Sequence, residues 1–153
     1  MKAISSNTVQ KACLELERFS EPRMAEEASR FIRQQPNLVD FLKEFTEDSK
    51  VEIQQLALYL SYLIWKIFTL NKKKKLPQIP WEICYQCFIK ERRLWKENQI
   101  HPNGKNSQPN LILYIQSFFE KDSEDLKSEE IEKGALLILL RSVIAAFDKV
   151  SDQ

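Results

Sequence analysis

Apolar residues recur along this chain at intervals of three and four, with charged residues between them. Val9, Ala12, Cys13, Leu16 and Phe19 fall on one stripe and Met24, Ala28, Phe31 and Ile32 on a second, the spacing of amphipathic helices. Pro36 ends the second helix. It also suits the first turn of a third, where a missing N–H costs nothing and Leu38, Phe41, Leu42 and Phe45 line the buried side. Ser49-Lys50-Val51-Glu52 reads as a capping box that opens the most apolar stretch so far, Ile53 to Leu70. Pro77 and Pro80 close a basic connector. The pattern then predicts a helix over 81–97, a polar loop over 101–109, a helix over 110–119, an acidic turn and a last helix over 128–149.

Composition supports helices. The chain has only two glycines, Gly104 and Gly134, whereas a β-rich fold needs many tight turns and the glycines that make them. The expectation is one all-α domain over 1–153, with six to seven antiparallel helices in a right-handed helical-hairpin stack or bundle. Leu56 to Leu70 and Ala135 to Phe147 are too short, and carry Lys66 and Arg141, so neither reads as a membrane span and no membrane partner is expected. Charges interrupt the first 19 residues, which do not form a signal peptide. The three cysteines, an odd count, fit reduced thiols in a cytoplasmic protein.

One pattern occurs twice. Pro36-Asn37-Leu38-Val39-Asp40-Phe41-Leu42-Lys43-Glu44-Phe45-Thr46-Glu47 recurs 73 positions later as Pro109-Asn110-Leu111-Ile112-Leu113-Tyr114-Ile115-Gln116-Ser117-Phe118-Phe119-Glu120, with five of twelve positions identical and three conservative. Collinear anchors extend it. Cys13-Leu14 and Glu17-Arg18 recur as Cys87-Phe88 and Glu91-Arg92 at an offset of 74, and Glu52-Ile53 with Ala57-Leu58 recurs as Glu130-Ile131 with Ala135-Leu136 at 78. This predicts an internal duplication, with units at about 9–70 and 83–149 joined by the connector 71–80. The matched positions are mostly apolar stripe, cap or turn, so a packing plan is what repeats.

The pairing of 36–45 with 48–70 resembles a HEAT-type helical hairpin, of the kind that begins importin-β-like transport receptors. Asp48 stands where such hairpins have a turn aspartate, and Ile53 and Ala57 match the second helix with its small residue at the crossing. Gln54 departs from the pattern, in which an arginine ladders to the next repeat. The resemblance covers 36–70 and, more faintly, 109–147. It implies a stack of helices presenting a concave face, and it carries no cargo with it.

The residues support no enzyme. Cys84-Tyr85-Gln86-Cys87 is a C-x-x-C at a helix start, where the helix dipole favours thiolate. Thioredoxin-like use needs a βαβ context, and zinc needs four ligands, for which only His101 and Cys13 remain. The match of Cys13 with Cys87 favours small apolar core residues. Glu-x-x-His is missing, as is a glycine-rich phosphate loop. No catalytic residue, metal or cofactor is therefore expected.

Charge is segregated: residues 1–50 carry a net −1, residues 51–110 +6 and residues 111–153 −4. The basic third contains Lys72, Lys73, Lys74 and Lys75, then Lys90, Arg92, Arg93 and Lys96 interleaved with Trp95. These are the candidate binding residues. The leading expectation is a non-catalytic helical scaffold or adaptor that binds another macromolecule, a protein first. The alternative is a nucleic-acid-binding protein using 72–96, the cations tracking phosphates and Trp95 stacking on a base. HEAT-like DNA-repair glycosylases are the comparison for it, and their central aromatic and acidic pair would be imitated by Trp95 or Trp81 with Glu91 or Glu82. Lys72 to Lys75 also reads as a nuclear import signal.

Overall fold

The computed structural model describes residues 3–72, 75–97, 108–126 and 130–151, and of 119–126 and 130–132 the backbone alone. Seven helices make up the described fold: α1 (Ser6–Glu17), α2 (Glu21–Gln34), α3 (Pro36–Phe45), α4 (Val51–Lys72), α5 (Trp81–Lys96), α6 (Pro109–Leu126) and α7 (Glu130–Ser151). No strand occurs among the described residues. The all-α expectation holds.

Local chemistry sets the helix ends. The Ser5 hydroxyl accepts from the Thr8 N–H at 3.2 Å and the Ser20 hydroxyl from the Arg23 N–H at 3.3 Å, so each satisfies a donor that the first turn leaves over. Ser20 restarts the chain as α2, which leaves Phe19 in the link and not on the α1 stripe; the Arg23 guanidinium covers its ring at 4.0 Å. At α4 the Lys50 carbonyl accepts from the Ile53 and Gln54 N–H groups, one position later than a Ser49 capping box requires. The side chain of Gln54 instead turns back and donates to the carbonyls of Thr46, Glu47 and Ser49 at 2.9, 3.3 and 3.1 Å. It thereby satisfies orphan acceptors of the α3–α4 turn.

Helix α6 runs on to Leu126, past the predicted end at 119. Nothing between 110 and 126 is Gly or Pro, and charged side chains alone do not stop a helix. The predicted acidic turn is helical as far as Leu126, and 127–129 lie outside the described residues.

Both halves of the chain contribute to one continuous core. The long helices α4 and α7 pack against each other at its centre, where Phe68 and Phe147 stack with ring centroids 5.6 Å apart. Helix α1 packs on α4 and on α6, while α5 packs on α7 and on α3. Each outer helix thus touches the long helix of its own half and the Pro-Asn-Leu helix, α3 or α6, of the other half. An aromatic cluster seals α3 to α5: Phe45 lies 4.6 Å from Phe88, and Phe41 5.8 Å from Trp81, which stacks on Tyr85 at 5.3 Å.

Helix α2 has the most polar composition and the simplest attachment. Phe31 is buried against Trp65 and Tyr62, with centroids at 5.5 and 6.1 Å. Beside it the buried Glu27 carboxylate meets the Lys66 ammonium at 3.2 Å and accepts a 3.4 Å hydrogen bond from the Tyr62 hydroxyl. Burial, and then the neighbouring Glu27 charge, push the Tyr62 phenol well above its ordinary range.

Candidate binding surfaces

Three surfaces have the character of sites. The first is a groove between α2 and α4. Met24, Ala28, Phe31 and Ile32 from α2 face Gln55, Leu58, Tyr59 and Tyr62 from α4 across a volume of about 210 Å3. These residues share one groove because 24, 28, 31 and 32 lie on one side of α2, and 55, 58, 59 and 62 on one side of α4. Large apolar side chains remain open to water there: Ile32 is 41% exposed and Tyr59 42%. From Tyr59 the apolar surface continues onto α6, with Phe118 at 6.4 Å and Tyr114 a further 5.7 Å on.

The second surface is a polar cleft of about 450 Å3 between α5 and α7, lined by Gln86, Cys87, Lys90, Glu91, Ala145, Asp148 and Lys149. Its carboxylates are already engaged. The Arg141 guanidinium donates to Glu91 at 3.1 Å, both side chains being buried, and Gln108 Nε2 donates to Asp148 at 2.8 Å. Glu91, the candidate acid beside Trp95, is thus held by a buried guanidinium. Burial raises the Cys87 thiol above its ordinary value, with the Lys149 charge pulling the other way.

The third surface is the outward side of α5. Lys90, Arg92, Arg93 and Lys96 are all exposed, and at about 100° per residue they span roughly 160° of the helix circumference. Trp95 is 41% exposed, its ring resting 3.4 Å from where a Cβ on Gly134 would stand, so it lies on the flank of α7 and not among the core rings. Lys72 and Lys75 belong to other elements, the end of α4 and the segment before α5. Lys73, Lys74 and His101 lie outside the described residues.

Burial raises all three thiols above their ordinary range. Cys84 is buried, and burial pushes it up to about 12, against the lowering expected from the helix start: loss of hydration outweighs the dipole. Cys13 is likewise raised by burial, partly offset by a hydrogen bond with Tyr114. No group of three or more potential metal ligands occurs among the described residues. No helix of the described residues is long and apolar enough to cross a membrane.

The sequence reading gave no role to Gln35 and Gln108 and did not foresee the buried pairs Glu27–Lys66 and Glu91–Arg141. For the glutamines a signal existed, since each directly precedes one copy of the Pro-Asn-Leu repeat. Compared with known proteins, the chain matches no family model, no curated protein and no solved structure.

Proposed function

We propose that this protein is a non-catalytic helical adaptor that holds an amphipathic helix of a partner protein in the groove between α2 and α4. The observation that carries the reading is the exposure of Ile32 and Tyr59 on the two sides of an apolar trench floored by Phe31 and Leu58. Large apolar groups left open along a concave strip mark interaction sites, and two parallel ridges of side chains accept a third helix at i, i+3, i+4 and i+7. We read α3 and α4 as a HEAT-type hairpin, which the burial of Ala57 supports, with Gln54 serving the turn in place of a ladder arginine. Three free thiols fit a reducing cytoplasm.

The test is site-specific photocrosslinking from a probe in place of Tyr59, alongside the same probe in a Met24→Glu, Ile32→Glu variant checked by circular dichroism. The expected result is a protein adduct at the probe that the folded variant no longer recovers. Recovery unchanged in the variant rejects the groove.

A second reading rests on a different observation, the four exposed cations beside a half-exposed tryptophan on α5. It assigns that face to a nucleic-acid backbone. Binding would weaken steeply with added salt and vanish on Lys90→Glu, Arg92→Glu, Arg93→Glu. Failure to retard DNA or RNA at low salt eliminates it.

A further inference from the structure

The two buried glutamines occupy the same place in their halves. Gln35 and Gln108 stand 73 positions apart, each directly before the proline that opens α3 or α6, and both are 0% exposed. Gln35 Oε1 accepts from the Ile79 N–H at 3.0 Å, while its Nε2 donates to the Pro77 carbonyl at 2.9 Å. Gln108 Oε1 accepts from the Ile4 N–H at 2.7 Å, and Asn110 Nδ2 donates to the Ile4 carbonyl at 3.0 Å. Ile4 and Ile79 are themselves equivalent. Each is a buried isoleucine outside any helix, directly before an extended residue and two residues before the first helix of its half.

The holding is crossed. The glutamine of the first half grips the segment that leads into α5, and the glutamine of the second half grips the segment that leads into α1. At Gln35 one uncharged amide supplies both acceptor and donor; at Gln108 the Oε1 holds the Ile4 N–H while Nε2 donates to Asp148 at 2.8 Å, and Asn110 supplies the donor to the Ile4 carbonyl. We propose that Gln35 and Gln108 form a reciprocal latch that makes the two halves open as one body. The packing gives the latch its reach: α5 lies between α7 and α3, and α1 between α4 and α6, so freeing either leading segment loosens a helix wedged between both halves.

Native-state hydrogen exchange on the full chain tests this. In the unaltered protein the Ile4 and Ile79 amides have protection within about threefold of the slowest amides in α4 and α7, because they open only with the whole. Gln35→Met and Gln108→Met each strand a buried N–H, and each speeds exchange in α4 and α7 alike by about tenfold or more. Acceleration confined to one half overturns the latch. So does an Ile4 or Ile79 amide in the unaltered protein that exchanges about a hundredfold faster than the α4 and α7 cores. That second measurement decides the matter even where a methionine variant does not fold.

Discussion

Glu91 and Arg141 meet at 3.1 Å with both side chains almost out of water, which makes the pair costly to break and of little net value to have. Glu91→Gln leaves a buried guanidinium without its counter-charge, and urea denaturation will show a loss of about 3–5 kcal/mol. Replacing both residues with methionine will cost far less than the single change, since no charge is then stranded. Cys84 gives a prediction in pH. Its folded value is raised above the ordinary one, so the folded state holds the proton more tightly. The stability this contributes is complete below the ordinary thiol range and is lost as pH rises toward about 12. A stability profile by denaturant titration will therefore fall above about pH 9, and the fall will shrink in Cys84→Ala. Iodoacetamide at pH 8 will leave Cys84 unmodified until the protein is denatured. Almost none of this was legible beforehand, because a glutamate and an arginine 50 positions apart announce nothing until the fold joins them.

At the scale of elements, the sequence was more open. The stripes that mark α1 to α5 and α7 are apolar periodicities, and periodicity survives whatever the neighbours do. Ends were harder. The α6 boundary was misread because a run of acids resembles a turn, although nothing in it breaks a helix. The α4 start slipped by one position because the Lys50 carbonyl, not the Ser49 side chain, begins the hydrogen-bond series. Gln54 is the clearest local device, as one amide serves three carbonyls of the α3–α4 turn. Gln54→Ala will cost about 1 kcal/mol in thermal or urea unfolding, with the helical content of the folded state unchanged. The groove between α2 and α4 escaped the sequence for a plain reason. Ile32 and Tyr59 sit on separate amphipathic patterns, and only the seating of Phe31 against Trp65 brings those patterns side by side.

For the molecule as a whole, the repeat in the sequence and the crossed packing of the halves tell related stories. The repeat was found through apolar residues, and the polar residue that begins each copy was overlooked because a glutamine before a proline looks like loop. Packing at the centre couples the halves: Phe68→Ala will lose about 3–5 kcal/mol, with the helical signal of both halves melting in a single transition. The tryptophans extend this to spectroscopy. Trp65 is 2% exposed, and its Nε1 finds no hydrogen-bond partner among the described residues, whereas Trp95 is 41% exposed on a helix carrying four exposed cations. The indole of Trp65 will emit at short wavelength and resist quenchers. Trp95 will emit further to the red and be quenched by iodide more than by caesium, because the surrounding cations concentrate the anion. With Trp81 replaced by Phe the protein carries two natural lamps, one reading its centre and one the rim of α5, and a partner landing on α5 will dim or shift only the second.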